Sequence, residues 1–311
     1  MILTVTPNTG LDRTIVVPEF ALNKTIRATR EVLAMAGKGC DASWVLGKFG
    51  VPSLATGFAA GHTGEVMEAM LHTQGVQTDF VWTDGETRIN IIVVHEPDRG
   101  MATFTIPSLE VSAQHIAELE AKFQSLLAGA GCVIFGGTLP PGVPYELYTR
   151  LVRAARAHGV PTVLDTSGPG LAAGLEGCPT VIKPNQFELA DVTGSVPGDL
   201  RAAYQAAQQV RQRFGCQVLV TMGAEGALAV FDEGDFFVPP LKLEVVSSAG
   251  AGDGVLAGMG WALDAGLPLV EGLKLGIGFA SAIVLNLKTA DYDPQDLERL
   301  RPQVKVLPYT P

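Results

Sequence analysis

The sequence predicts an α/β protein: a mostly parallel central sheet covered by helices on both faces, with a small β lid outside the main layer. Three observations carry this. Short β-branched runs alternate with helical segments through the middle and C-terminal parts of the chain, the pattern of strands joined by crossover helices. In almost every unit the polar, glycine-rich residues follow the strand, at the edge where such sheets bind ligands. Two early segments, 14–17 and 88–106, break that rhythm and read as strands without a crossover helix.

In order along the chain, Met1-Ile2-Leu3-Thr4-Val5-Thr6-Pro7 reads as a first strand and lacks the basic region and long apolar run of a signal peptide. The β-like run 14–17 follows Asp12. Residues 88–106 alternate as two strands around Pro97-Asp98-Arg99-Gly100, a hairpin turn. These segments, about 12–30 and 88–106, are expected to form the lid on a single domain spanning 1–311. A strand at 132–135 leads through Gly136-Gly137-Thr138-Leu139-Pro140-Pro141-Gly142 to an amphipathic helix over 145–158. Strands at 162–165 and 180–183 follow, then a helix at 200–214, a strand at 217–222 and a hairpin over 227–238 around Glu233-Gly234.

Composition narrows the function. A chain of 311 residues, 47% hydrophobic and 17% charged, buries a substantial core and is not disordered. The net charge of −10 argues against nucleic acid or an anionic membrane as partner, because both require a basic surface. A local cluster of Lys and Arg can still hold an anionic small molecule. Cys40, Cys132, Cys178 and Cys216 are far apart and read as reduced thiols of a cytoplasmic protein. No apolar stretch approaches the roughly 20 residues that span a bilayer, and the histidines show no metal-ligand spacing.

The most informative segment is Ser247-Ser248-Ala249-Gly250-Ala251-Gly252-Asp253-Gly254, which runs into an apolar helix. Unpaired N–H groups and the helix dipole favour an anion at such a start, and Gly250 and Gly252 let a phosphate approach the backbone. An acid beside a phosphate needs a reason, and the economical one is that Asp253 accepts a proton from a hydroxyl that attacks the phosphate. A plain strand-to-helix turn with a capping aspartate is the structural alternative. A P-loop is rejected because Gly39 follows Gly37-Lys38, and a dinucleotide fingerprint because Val255 stands at its third glycine.

Lys183-Pro184-Asn185-Gln186-Phe187-Glu188 follows a strand end. Asn185 and Glu188 could hold the water shell of Mg²⁺, or serve as a helix capping pair. Lys38 lies in a glycine nest, Arg88 lies where the hairpin segment begins, and Arg27 lies in Thr25-Ile26-Arg27. Converging, they would bind a phosphate already on the substrate; taken singly, each reads as a surface ion pair. Asp12 alone reads as a turn former.

Together these pieces resemble the ribokinase-like (PfkB) carbohydrate kinases, and more narrowly the 1-phosphofructokinase and tagatose-6-phosphate kinase branch. The resemblance rests on Thr-Pro-Asn-Thr-Gly-Leu-Asp-Arg-Thr (6–14), Ala-Gly-Lys-Gly-Cys-Asp-Ala-Ser (36–43), Glu-Thr-Arg-Ile-Asn (86–90) and Gly-Gly-Thr-Leu-Pro-Pro-Gly-Val (136–143). Asp-Thr-Ser-Gly (165–168), Lys-Pro-Asn-x-x-Glu (183–188), Thr-Met-Gly-Ala-Glu-Gly-Ala (221–227) and Gly-Ala-Gly-Asp (250–253) follow in the same order. It implies a ribokinase-like three-layer α/β/α sandwich. It implies Asp253 as catalytic base, with the N–H groups of Gly250, Ala251, Gly252 and Asp253 as anion hole. Lys183, Asn185 and Glu188 would serve ATP phosphates and Mg²⁺, and Thr221, Gly223 and Gly226 would lie along the nucleotide. Asp12, Gly37, Lys38, Asp41, Arg88 and Asn90, with Arg27, would face a sugar phosphate.

The implied activity is ATP-dependent phosphorylation of a ketohexose monophosphate to the bisphosphate, fructose 1-phosphate first and tagatose 6-phosphate second. A homodimer through the lid is implied, and a monovalent-cation requirement is left open. Asp41 replaces the branch's usual Asn, Trp44 stands where Arg is common, and Thr9-Gly10 replaces a Pro-containing pair. The rival readings are a kinase of an unphosphorylated sugar or nucleoside, and a non-catalytic regulator that binds a sugar phosphate.

Overall fold

The computed structural model describes residues 1–98, 100–106 and 109–311. Its central sheet runs in the order Leu307–Pro308, Gly234–Val238, Ala227–Phe231, Gln217–Thr221, Val181–Ile182, Thr162–Asp165, Cys132–Gly136, Ile2–Thr6, Ser53–Ala59 and Gln77–Thr78. Val81–Trp82 also pairs with Ser53–Ala59. Pairing is parallel from Gln77–Thr78 as far as Gln217–Thr221. The remaining edge strands are antiparallel.

Side-chain alternation along the strands supplies two cores. Leu3, Val5, Val133 and Phe135 face the helices Ala113–Leu127, Glu146–Ala157, Gly168–Leu175, Gln186–Thr193 and Leu200–Phe214. Ile2, Cys132 and Ile134 face Lys38–Lys48, Ala251–Asp264, Leu269–Ile283 and Pro294–Leu300. The result is the expected α/β/α layering. The expected strands and helices from 132 to 238 are present, with the strand at 180–183 shortened to Val181–Ile182, where Pro184 cannot extend the ladder.

Ala251–Asp264 and Leu269–Ile283 pack unusually closely. A Cβ on Gly258 would lie 2.5 Å from the backbone of Gly276 and from the carbonyl of Gly272. Glu233, at the hairpin turn, accepts the Leu269 N–H at 2.5 Å and the Val270 N–H at 3.2 Å. A carboxylate at this helix start satisfies unpaired donors and complements the dipole, so the edge hairpin anchors a helix that borders the site.

A second sheet, in the order Arg30–Ala36, Gly10–Val17, Arg88–His95 and Met101–Phe104, stands apart from the first. The run at 14–17 is the second half of an eight-residue strand. The strand Arg30–Ala36 lies beyond the segment expected at 12–30, while 18–29 holds no strand. Arg99, in the expected turn, lies outside the described residues. Val16, Ile92 and Val94 pack on Leu287, with Val246 and Ala249 against them. That seats the second sheet on the loops at the carboxyl edge of the first.

Candidate active site

Gly250 is the N-cap of Ala251–Asp264 and adopts the left-handed conformation, φ 81°. A Cβ there would lie 2.2 Å from the Ala290 nitrogen, so the turn admits only glycine. The structure narrows the expected nest of N–H groups. Gly250 O accepts the Asp253 N–H at 3.0 Å, and Ser248 O accepts the Ala251 N–H at 3.3 Å. The N–H groups of Gly250 and Gly252 have no acceptor among the described residues. The left-handed cap closes a tight turn, and that turn consumes the other two donors.

Asp165, fully buried at the end of Thr162–Asp165, draws two lysines together. Lys38 Nζ lies 2.6 Å from its Oδ1 and Lys183 Nζ lies 2.7 Å from its Oδ2. Lys38 also bonds Glu188 at 3.0 Å. Burial alone would raise the Asp165 carboxyl, but the two ammonium groups hold it below its ordinary range. Burial pulls Lys38 down, yet Asp165, Glu188 and Asp253 outweigh it and keep the ammonium charged. Asp253 is pushed up to about 7, first by burial and then by the negative charge of Asp165, with Lys38 and Lys183 opposing.

These groups border one end of a cleft of about 1070 Å³, the scale of a small-molecule site. Asn185, Thr221, Gly223 and Gly226 line it. Gly226 has φ 99°, and a Cβ there would lie 2.2 Å from Val238 O. The far walls are Leu241, Leu243 and Val245 of the loop after Gly234–Val238, and Ile277, Ala280 and Val284 across from them. Neither wall was expected from sequence. Both segments are mostly apolar sequence with no residue type that marks a site.

Asn185 and Glu188 form a capping box. The Asn185 side chain accepts from the N–H groups of Phe187 and Glu188, and Glu188 Oε2 accepts the Asn185 N–H at 2.8 Å. Among the described residues no cluster of three or more His, Cys, Asp or Glu side chains is placed to hold a metal. Asn185 Oδ1 is consumed by the cap, which leaves Glu188 as the donor next to the cleft. One carboxylate does not form a protein cage for a metal, and would suit only an ion that keeps its waters, such as Mg²⁺.

Beyond Asp253 lies a second polar group, built by the second sheet. Register pairs Asp12 with Asn90, and Asn90 Nδ2 donates to Asp12 Oδ1 at 2.8 Å. The Thr289 hydroxyl donates to Asp12 Oδ2 at 3.0 Å. Burial raises the Asp12 carboxyl despite those two bonds. Arg88 donates to Asn8 O at 3.3 Å and faces Asp12 and Asp41. Arg88 Nε, Asn90 Oδ1 and Asp41 Oδ1 are buried without partners among the described residues, a deficit that a polar ligand would fill.

The sequence-predicted anion cluster of Lys38, Arg88 and Arg27 is not assembled. Gly37, φ 104°, caps Lys38–Lys48, but the Lys38 side chain is drawn to Asp165 and Glu188 on the cleft side. Arg27 is exposed on the 18–29 loop and has no ion-pair partner among the described residues. Trp44 is buried, its ring under Lys288 at 4.6 Å and its N–H 3.4 Å from Asp291.

A helix start with two free backbone N–H groups, two lysines on one buried aspartate and a carboxyl raised to about 7 thus meet at one cleft. The chain belongs to the pfkB family carbohydrate kinases, whose sequence model matches residues 8–296. It is 31% identical to a 1-phosphofructokinase of Bacillus subtilis over 98% of this chain and 99% of that protein. It is 28% identical to a tagatose-6-phosphate kinase of Staphylococcus epidermidis over 99% of each. Phosphofructokinase-2 from Escherichia coli, solved with potassium, superposes with a TM-score of 0.89 at 28% identity, covering 97% of this chain and 98% of that one.

Proposed function

We propose that this carbohydrate kinase transfers the terminal phosphoryl group of ATP to a hydroxyl of a ketohexose monophosphate, with fructose 1-phosphate as the first substrate to test. One observation carries the reading: Asp253 lines the large cleft and also faces Asp12 and Asp41 in the second compartment. The cleft takes the nucleotide, with Thr221, Gly223 and Gly226 along it and the apolar walls around its base. The compartment of Asp12, Asn90, Asp41 and Arg88 takes the sugar phosphate.

Phosphoryl transfer is catalysed mainly by positioning and by stabilising charge. Asp253 orients the acceptor hydroxyl and takes its proton as the bond to phosphorus forms, a task suited to a carboxyl poised near neutrality. The free N–H groups of Gly250 and Gly252 receive phosphoryl oxygens, and Lys183 and Lys38 balance the negative charge. Glu188, with Asn185 beside it, would hold Mg²⁺ through water, and the ion would supply positive charge against the nucleotide phosphates. Lys38 serves the nucleotide side in this arrangement, leaving Arg88 as the main cation for the sugar's own phosphate.

A homodimer through the second sheet belongs to the same reading. Phe104 is 50% exposed, Ile106 48% and Phe20 58%, apolar side chains on or beside the segments of the second sheet that a second copy would cover. Among the described residues no helix is long and apolar enough to cross a membrane. The free thiols of Cys40, Cys132, Cys178 and Cys216 suit a reducing cytoplasm.

ADP release measured with fructose 1-phosphate, tagatose 6-phosphate, fructose 6-phosphate, fructose, ribose and adenosine tests the assignment. The expected order places a ketohexose monophosphate well above every neutral acceptor. Preference for fructose, ribose or adenosine would overturn the sugar-phosphate reading. Tight binding of a sugar phosphate without ADP release would identify a regulator.

A further inference from the structure

Asp41 is 4% exposed, and its Oδ1 has no hydrogen-bond partner among the described residues. An ionised carboxylate is poorly tolerated in such a position, because a buried oxygen with full charge and no donor loses its hydration without replacement. The groups around it do not supply the missing balance. Asp253 faces it from Ala251–Asp264 and Asp12 faces it from Gly10–Val17, both with like charge. Arg88, from Arg88–His95, opposes them but also faces Asp12, and the Gly37 backbone adds a smaller contribution in the same sense as Arg88.

The other elements packed on the helix Lys38–Lys48 do not change this. Ile2–Thr6 and Ser53–Ala59 carry no titratable side chain, and the Cys132 thiol is pushed up by burial. Arg30 and Glu31 of Arg30–Ala36, and His62, Glu65 and His72 of Gly61–Thr73, are exposed. Glu68 accepts from Thr78. On the same helix, Lys38 is drawn to Asp165 and Glu188, Lys48 bonds Asp291 at 2.5 Å, and the buried Cys40 thiol is pushed up to about 12.

Among the three facing carboxyl groups, Asp12 already receives two donors, from Asn90 and Thr289. Asp253 has Lys38 and Lys183 on its side. Asp41 is left with the weakest compensation. We infer that Asp41 stands in the resting enzyme as the neutral carboxylic acid and presents its O–H as a hydrogen-bond donor to an oxygen of the sugar. It is thereby a substrate-selecting residue, not a second base. This rests on the reading of the second compartment as the sugar site. Burial and the charges of Asp253 and Asp12 hold the Asp41 carboxyl well above its ordinary range, in agreement.

Two measurements on the full-length protein test it. An infrared difference spectrum, wild type minus Asp41→Asn at about pH 7 without substrate, is expected to contain the C=O stretch of a protonated carboxyl. Asp41→Ser, a smaller uncharged donor, loses the same band and replaces the first variant if that one does not fold. Absence of the band in wild type overturns the inference. In steady-state kinetics, the readout is how the sugar-phosphate KM depends on pH in wild type and in Asp41→Asn, whose amide donates at every pH. Toward about pH 9, the wild-type KM rises about tenfold or more as the proton is lost, and that of the variant stays flat. A variant KM raised about tenfold at every pH, with a flat wild-type profile, shows an ionised acceptor and overturns it. If no sugar phosphate supports turnover of wild type, the kinase reading fails, while the infrared band still decides where the proton sits.

Discussion

Lys38 Nζ stands 2.6 Å from Asp165 Oδ1 across 127 residues of sequence. Lys183 reaches the other oxygen of the same carboxylate, so one fully buried anion holds two cations at the rim of the cleft. The arrangement keeps positive charge fixed where nucleotide phosphates are proposed to lie, without requiring either lysine to find its position on binding. Removing one lysine leaves Asp165 buried and under-compensated. Lys183→Ala is expected to destabilise the fold by about 3–5 kcal/mol, as for a broken buried pair, measured by chemical denaturation. A loss below about 1 kcal/mol would show that the pair is solvated in solution.

Asp253→Asn is expected to lower turnover by about two to four decades while leaving ATP binding nearly intact. Retention of more than about a tenth of wild-type turnover would remove Asp253 from the role of base. The wild-type rate is expected to rise with pH through about 7, because the base must be ionised to work.

The same group gives a stability prediction of opposite sense. The Asp253 carboxyl is raised to about 7 in the folded protein, against about 3.9 in an unfolded chain. Its contribution to stability is therefore full below about pH 4 and is lost as pH rises through about 7. At pH 8 the Asp253→Asn protein is expected to be the more stable by about 1–4 kcal/mol, with the gap closing toward pH 4. Equal denaturation midpoints for the two proteins at pH 8 would contradict the raised carboxyl.

Arg88→Ala is expected to raise the KM for the phosphorylated sugar by about ten- to a hundredfold, with the KM for ATP changed less than about threefold. Initial rates with each substrate varied in turn check this. A change confined to ATP would place Arg88 in the other compartment.

Gly258→Val is expected to cost about 3 kcal/mol or more of stability. The added Cβ would sit 2.5 Å from the Gly276 backbone, and neither helix can yield without moving the wall formed by Ile277 and Ala280. A thermal melt reads the loss, and a neutral result would mean that the two helices slide apart freely.

Much of the central sheet was legible because alternation and strand-end glycines report local conditions. Residues 162–165 and 200–214 were read with the boundaries the structure has. Arg30–Ala36 was not, because its pairing with Gly10–Val17 is long-range and its residues Leu33, Ala34, Met35 and Ala36 also favour helices. Asp253 could be singled out because an acid beside a turn suited to phosphate is chemically odd. Lys38 misled for the opposite reason. Its glycine nest is local, whereas the direction of its side chain is set by Asp165 and Glu188, which sequence separation hides. The apolar walls at 241–245 and 277–284 carried no distinguishing residue types and became visible only when folding set them opposite each other.

The hydrogen bond from Thr289 to Asp12 closes a gap of 277 residues. During synthesis, Asp12 leaves the ribosome 277 residues ahead of this partner. No nascent fragment that stops short of residue 289 can form this bond, however well its strands have formed. The Asp12 carboxylate therefore gains its second donor only in a chain that extends through residue 289.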